Sequence, residues 1–366
     1  MATNLIGARI KALREERGLS QDELARIFGF RDRQTVSAIE NGERRVSAEE
    51  LLIAVQKLGA DLDFFTDPFR LTGEGIFSWR QSGVSPLSLG AYERSAGRWI
   101  AAFRTIAPQV GQETRLLRRA LGLTRQNSFE DAIEAGERFA AEFKLGDVPA
   151  AKLADVMERD LGILVLMVDA IEGVSGAACR LPELDVVLVN RREVAGRRHF
   201  DLAHELFHIL TWDAMPPEHS EEPSEISKNR VEQLANNFAS ALLMPERILE
   251  RFGDWSRLAG GGLAAQLKSV ADALQVTASA LKWRLVALGR LALAVAKSTA
   301  DSMLRSANHD SCELLPLFSR LFMEVIERAL RDGRVSARRV AGILDLTLDD
   351  LGSLFETYGF HSPVEL

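Results

Sequence analysis

The spacing of apolar residues over the first 66 positions predicts a series of short helices. One face of the first helix carries apolar side chains at i, i+4 and i+7, which are Ile6, Ile10 and Leu13. Two Ser-x-x-Glu capping boxes, beginning at Ser20 and Ser47, mark the starts of later helices. Gly29 permits a tight turn between two of these helices. The pattern therefore predicts a helical unit over residues 1–66.

Beyond this unit the pattern changes twice. Glycine, proline and serine are concentrated in residues 67–90, which we interpret as a linker. Helical periodicity returns from Tyr92 to Phe143. Three short apolar runs bounded by turn residues then predict the strands of a small sheet, at 162–168, 174–180 and 185–190. Further helices are predicted towards the carboxyl terminus, where two corners of helix, turn and helix are interpreted as packing or substrate-binding elements.

Composition excludes several classes of protein. With 46% hydrophobic and 27% charged residues, the chain is typical of globular proteins and unlike disordered or membrane-spanning ones. Its net charge of −7 provides no chain-wide basic field, so any contact with DNA must be local. Cys179 and Cys312 are too few for a disulfide framework and fit a reducing compartment. Since no signal peptide or bilayer-length apolar run is evident, we expect a cytoplasmic protein without a membrane partner.

Two neighbouring helices of the amino-terminal unit fit a DNA-reading arrangement. Val36 and Ile39 form the inward side of the second helix, which leaves Arg33, Gln34 and Ser37 on its outward side. In a helix-turn-helix the second helix lies in the major groove with its first residues on base edges. Arginine and glutamine have the shapes needed for bidentate contacts to guanine and adenine. The outward residues are therefore candidates for base contacts.

The stretches GLSQDELA and TVSAIENG resemble the XRE (phage Cro/CI-type) helix-turn-helix family. The resemblance implies a five-helix DNA-binding domain whose partner is a double-stranded DNA operator. Phosphate contacts are expected from two arginines that follow the second helix. The candidate DNA contacts are then Gln21, Arg33, Gln34, Thr35, Ser37, Arg44 and Arg45. The alternative is a helical interaction domain without DNA, which is compatible with only nine basic against seven acidic residues in positions 1–45.

The strongest chemical signal in the chain is the sequence His204-Glu205-Leu206-Phe207-His208. On a helix, the spacing i, i+4 brings both imidazoles to one face, about 6 Å apart at their Cβ atoms, so both can bind one metal ion. Glu205 lies one step round the same helix, where it can act on a nearby water without itself binding the metal.

A catalytic zinc site needs a third protein ligand and an open position. Glu232 and Asn236 lie at i, i+4 in a following predicted helix, which ends at Met244-Pro245. In this arrangement Glu232 can complete the metal site, and Asn236 can hydrogen-bond a ligand histidine. We therefore predict a zinc cofactor, with manganese as the alternative metal.

These segments closely resemble the ImmA/IrrE metallopeptidase family, over HFDLAHELFH, the motif E-x-x-A-N-x-F-A and LLMP. The resemblance implies a zincin-like domain in which His204, His208 and Glu232 bind zinc and Glu205 is the general base. It also implies a bacterial, often phage- or stress-linked protein that cleaves a helix-turn-helix repressor and so relieves its repression.

The sequence as a whole predicts a mainly α protein with a small β-sheet, of the α+β class. The expected division is a helix-turn-helix domain at 1–66, a linker at 67–90, a helical lead-in and metallopeptidase domain at 91–250 with its core at about 130–250, and a helical region at 251–366. A homodimer is left open.

Two functions remain open at this point. The first is a transcriptional regulator that binds DNA and carries a zinc endopeptidase acting on another regulatory protein. The second is a non-catalytic repressor whose metal site is a sensor or a structural clip. Glu205 distinguishes them, because a structural zinc site is closed by four ligands and needs no general base.

Overall fold

The computed structural model describes residues 5–112, 116–221, 229–255, 258–304 and 314–363. Cys312 lies outside these residues. Within them the chain is mainly helical with one small sheet, so the expected α+β class is confirmed. No helix in the described ranges combines the length and the apolar character needed to cross a bilayer.

Five short helices form the amino-terminal domain, as expected: α1 (Leu5–Glu16), α2 (Gln21–Phe28), α3 (Arg33–Glu40), α4 (Ala48–Leu58) and α5 (Leu62–Thr66). Both predicted capping boxes are present, because the Ser20 and Ser47 hydroxyls accept from the backbone three residues on. Gly29 ends α2 in the left-handed region at φ 74°, where a glycine is favoured. The domain has its own core, which includes Leu24 and Ile39.

The sheet has the strand order β2-β4-β3-β1-β5. Its strands are β1 (Ile76–Gln81), β2 (Ile163–Val168), β3 (Val174–Arg180), β4 (Asp185–Asn190) and β5 (Ser220–Glu221). β3 pairs antiparallel with both β1 and β4, whereas β2 is parallel to β4 and β5 is parallel to β1. The three apolar runs predicted as strands are β2, β3 and β4.

The prediction of a linker at 67–90 is wrong for residues 76–81, which form β1 between β3 and β5, and for residues 86–90, which begin the long helix Pro86–Ile106. Phe77 and Trp79 alternate with the polar residues Ser78 and Arg80, and all of these except the partly exposed Arg80 are buried, because both faces of the strand are covered. The segment before β1 is also fixed, because the buried Arg9 of α1 donates to the carbonyl oxygens of Asp67 and Arg70 at 2.8 and 2.7 Å. Glycine and proline lie on either side of this strand and not within it, so the composition of the whole segment resembled that of a linker.

The remaining helices cover both faces of the sheet. They are α6 (Pro86–Ile106), α7 (Phe129–Glu142), α8 (Ala150–Arg159), α9 (Ala195–Thr211), α10 (Arg230–Leu243), α11 (Glu246–Leu249), α12 (Gly260–Leu274), α13 (Ala278–Ala287), α14 (Leu293–Ser298), α15 (Asp301–Leu304), α16 (Arg320–Arg331), α17 (Ala337–Leu344) and α18 (Leu348–Thr357). Helices α7 to α10, with α12 and α13, share one core with Val165 of β2. Helices α6 and α16 to α18 share the other with Leu164 and Leu166. The described residues beyond position 250 thus pack on both faces of the sheet rather than around a core of their own.

Gly136 allows α7 and α10 to approach closely. A Cβ at this position would lie 2.5 Å from the carbonyl oxygen of Phe238 and 2.9 Å from the amide nitrogen of Leu242. Because both obstacles are backbone atoms, Gly136→Ala is expected to lower the free energy of unfolding by about 1–3 kcal/mol.

A matched variant separates this clash from the helix propensity of alanine. A Cβ at Gly342 of α17 would extend into open space, so Gly342→Ala should stabilise the fold by about 0.5–1 kcal/mol. Urea denaturation of both variants tests the prediction. Equal stability of Gly136→Ala and the unmodified chain would show that the helices can separate at no cost.

Candidate functional site

Helix α9 carries the two candidate histidines through the middle of the protein. From Asp201 to Thr211 every residue of this helix is buried, with β3 and β4 on one side and α10 on another. Gly196, in its first turn, lies against the backbone of Val276 and Thr277 before α13, a contact that a side chain would prevent. The histidines are therefore held on a rigid element, as a metal site requires.

The structure brings His204, His208 and Glu232 together. Their possible ligand atoms all lie within 4.8 Å of one another, and the three residues are only 1, 1 and 2% exposed. The two Nε2 atoms are 3.1 Å apart, and the Glu232 carboxylate oxygens lie 3.1 Å from each. Two imidazoles and one carboxylate form a donor set typical of catalytic zinc sites, so these residues fit the expected metal.

Asn236 lies where the spacing predicted, one turn after Glu232 on α10. Its Oδ1 is 3.0 Å from Nδ1 of His204. Because an amide oxygen can only accept, this contact places the proton on Nδ1 and directs the Nε2 lone pair towards His208 and Glu232. The small residues Ala235 and Ala239 on α10, both fully buried, permit this close packing of α10.

The protonation of His204 also suits metal binding. Burial, with a smaller contribution from the positive charge of Arg80, lowers the pKa of His204 to about 4, although Glu232 opposes the shift. At neutral pH this imidazole is therefore uncharged, the form in which a histidine binds a metal.

Glu205 points from α9 towards the backbone of β3. A Cβ at Gly176 would lie 3.8 Å from Cγ of Glu205, an ordinary contact, but only 2.8 Å from the carbonyl oxygen of Leu188, so a side chain at 176 would clash with the backbone of β4. Burial raises the pKa of Glu205 well above its usual range, whereas the charge of Arg80 lowers it. Glu205 thus lies beside the cluster of His204, His208 and Glu232 without belonging to it.

Arg80 is the residue of this site that sequence reasoning missed. It lies on β1 opposite Gly176, and its Nη1 is 3.2 Å from Oδ1 of Asp201, one turn before Glu205 on α9. Both side chains are shielded, at 13 and 2% exposure. Arg80 falls within the predicted linker, although the alternation of aromatic and polar residues from Phe77 to Arg80 is typical of a strand.

On the helix-turn-helix domain, the structure leaves Arg33 and Gln34 exposed at the start of α3. Thr35 and Ser37 are half-buried on the same helix, and the Thr35 hydroxyl donates to Asp32 at 3.3 Å. These four residues of α3 thus lie on one short, partly exposed segment, while Val36 lies in the core, as the pattern predicted.

The remaining candidate DNA contacts differ in their availability. Gln21 donates to Glu40 at 2.9 Å, and Arg44 forms a two-point ion pair with Glu50, at 2.6 and 3.0 Å. Arg45 is exposed. To contact DNA, Gln21 and Arg44 would therefore have to leave these carboxylates or bind DNA in addition to them. The sequence pattern did not indicate these internal contacts.

Two parts of the chain are similar to known proteins. Residues 10–65 match the helix-turn-helix family model, and residues 158–285 match the family model of the IrrE N-terminal-like domain. The second range ends within α13, beyond the boundary at residue 250 that the sequence suggested. The chain is also similar to the radiation response metalloprotease IrrE of Deinococcus radiodurans, at 32% identity over 131 residues.

That similarity covers 32% of this chain and 40% of the length of the relative, so it concerns one part of each protein. The matched family range includes the histidines of α9 and the acidic residue of α10. The chain therefore carries an XRE-type helix-turn-helix domain followed by a metallopeptidase domain of the IrrE-like family.

Proposed function

We propose that this chain is a DNA-binding transcriptional regulator whose metallopeptidase domain is a zinc-dependent endopeptidase. The observation that carries the proposal is the convergence of His204, His208 and Glu232 on one buried point, with Glu205 beside it. His204, His208 and Glu232 would hold the zinc, and Asn236 would orient His204.

Zinc at this point would supply Lewis acidity, polarising the scissile carbonyl and lowering the pKa of the attacking water. Glu205 would accept the proton of that water and pass it to the leaving amine. Arg80 and Asp201 fix the position of β1 against α9 near this general base. Because the cluster is buried, water screens the charges within it only weakly, which strengthens the electrostatic interactions at this point.

The proposed substrate is a second helix-turn-helix regulatory protein, whose cleavage relieves repression. Support for a repressor as substrate comes from the resemblance to the ImmA/IrrE family, and support for proteolysis comes from the metalloprotease relative. The amino-terminal domain of this chain would bring the peptidase to an operator, where such a repressor is bound. A closed structural site is less well supported, because such a site would need four protein ligands and the cluster offers three within the described residues.

Cleavage is tested by incubating the zinc-loaded chain with an XRE-type repressor encoded next to it, and analysing the products by mass spectrometry. We expect one or a few defined cuts, which disappear when a chelator removes the metal. An intact repressor under every metal-loading condition would contradict the proposed substrate.

DNA binding predicts different effects for two groups of residues. Arg33→Ala and Gln34→Ala should each relax sequence preference by about 1–3 kcal/mol at single base pairs, because these exposed side chains begin α3. Arg45→Ala should weaken binding to all sequences alike and flatten its salt dependence. Selection from a random DNA pool followed by titration at several salt concentrations measures both. Failure to select any preferred site would indicate a protein-interaction domain.

A further inference from the structure

A cleft of about 710 Å³ lies where the helix-turn-helix domain meets the rest of the chain. Its wall combines Phe64 of α5, residues 67 and 69–72, Arg94 and Arg98 of α6, and Arg339 of α17. The volume is within the range of about 300–1,000 Å³ usual for small-molecule sites, which often lie between domains. It is separate from the candidate metal centre, none of whose residues line it.

The cleft has more positive than negative side chains. Four arginines line it, from three separate parts of the chain, against two carboxylates: Arg70, Arg94, Arg98 and Arg339 against Glu16 and Asp67. This excess is unusual in a chain whose net charge is −7. Arginine is the side chain best shaped to bind phosphate through paired hydrogen bonds.

The partners of these arginines leave part of that charge available. Arg339 donates to Asp67 at 2.8 Å, so this pair is neutralised internally. Among the described residues, Arg98 pairs with one distant carboxylate, that of the exposed Asp345 at 3.9 Å, and it donates to the Ser95 hydroxyl at 3.2 Å. Within the described parts of the chain, neither Arg70 nor Arg94 forms an ion pair. Three of the four guanidinium groups are thus weakly paired or unpaired.

Aromatic rings accompany the arginines. The guanidinium of Arg70 lies 5.5 Å from the ring centre of Phe64, and that of Arg339 lies 5.3 Å from that of Phe69. Such stacking holds a guanidinium in place while its edge remains free to donate hydrogen bonds. Flat apolar faces beside fixed cations suit a ligand that has both a ring and a phosphate group.

We propose that this cleft binds a small phosphorylated anion of about the size of a nucleotide. Arg94 and Arg98, at i and i+4 on α6, form one pair of phosphate donors, and Arg70 faces them from the segment that leaves α5. A ligand held there touches both α5 and α6. Binding therefore also stabilises the joint between the two parts of the chain.

The test uses the full-length chain, inorganic pyrophosphate and ADP as probes, and isothermal titration calorimetry at constant ionic strength. At least one probe should bind, and Arg94→Ala with Arg98→Ala should weaken that binding roughly tenfold or more, because charged hydrogen bonds are lost. Both arginines are at least partly exposed, so the double variant should remain folded, which its thermal unfolding verifies.

Arg338→Ala is the matched control, since Arg338 is exposed on α17 beside Arg339 but does not line the cleft. It should bind the probes as the unmodified chain does. Absence of binding by both probes overturns the proposal. Equal binding by the double variant and the unmodified chain also overturns it, because the phosphate then lies elsewhere, for example at the metal centre. A double variant that loses DNA binding and retains probe binding would assign these arginines to the DNA interface instead.

Discussion

Replacing Glu205 by glutamine is expected to lower repressor cleavage by about 10²- to 10⁴-fold, the usual cost of removing a general base. Glutamine keeps the volume and polarity of the side chain and leaves His204, His208 and Glu232 in place. Because Glu205 is 2% exposed and burial raises its pKa, a neutral amide at this position should not unfold the protein. Zinc content and DNA binding should therefore be unchanged, and only cleavage should fall.

Glu134→Gln provides the matched control, because this glutamate of α7 is 77% exposed and far less constrained than Glu205. It should cleave at the rate of the unmodified chain. The regulatory alternative makes the opposite prediction. If Glu205→Gln still switches target genes normally and no form of the protein cleaves, the metal site is a sensor and nothing is hydrolysed.

Replacing His208 by alanine is expected to reduce bound zinc from about one ion per chain to nearly none, because two-ligand sites bind weakly. Glu232→Gln should weaken binding less, by roughly tenfold or more, since an amide oxygen is a poorer ligand than a carboxylate. Both residues lie within the same cluster, with 3.1 Å between the His208 Nε2 and the Glu232 Oε1. Metal analysis after dialysis, together with competition against a chelator of known affinity, measures both effects.

His361→Ala controls for the loss of a histidine as such, because His361 is exposed and outside the cluster. Its zinc content should be unchanged. His208 is buried, so its replacement can also weaken the fold, and thermal unfolding must accompany the metal analysis. A folded His208→Ala protein with undiminished zinc would remove His208 from the proposed site.

Local spacing was sufficient to predict most of the candidate metal centre. His204 and His208 are one helical turn apart, and Glu232 and Asn236 are related in the same way, so each pair shares a helix face. Apolar runs likewise predicted β2, β3 and β4, whose core positions are almost continuously buried. These features depend on neighbours within a few residues.

Contacts between distant parts of the chain could not be predicted in this way. β1 is stabilised by pairing with β3, where Arg80 meets Gly176 across a large sequence separation. The ion pair of Arg80 with Asp201 depends on the same pairing. The internal partners of Gln21 and Arg44 also depend on how the helices pack. The sequence pattern therefore could not show that these two side chains are already hydrogen-bonded within the domain.

The central claim, that His204, His208 and Glu232 bind a catalytic zinc, is tested most directly by zinc K-edge X-ray absorption spectroscopy of the zinc-loaded full-length chain. The account predicts two imidazole nitrogens and oxygen ligands at about 2.0–2.2 Å, no sulfur, and an oxygen from solvent at the open position. The imidazole signal should diminish in His208→Ala. A shell containing sulfur, or one identical in His208→Ala and the unmodified chain, would contradict it.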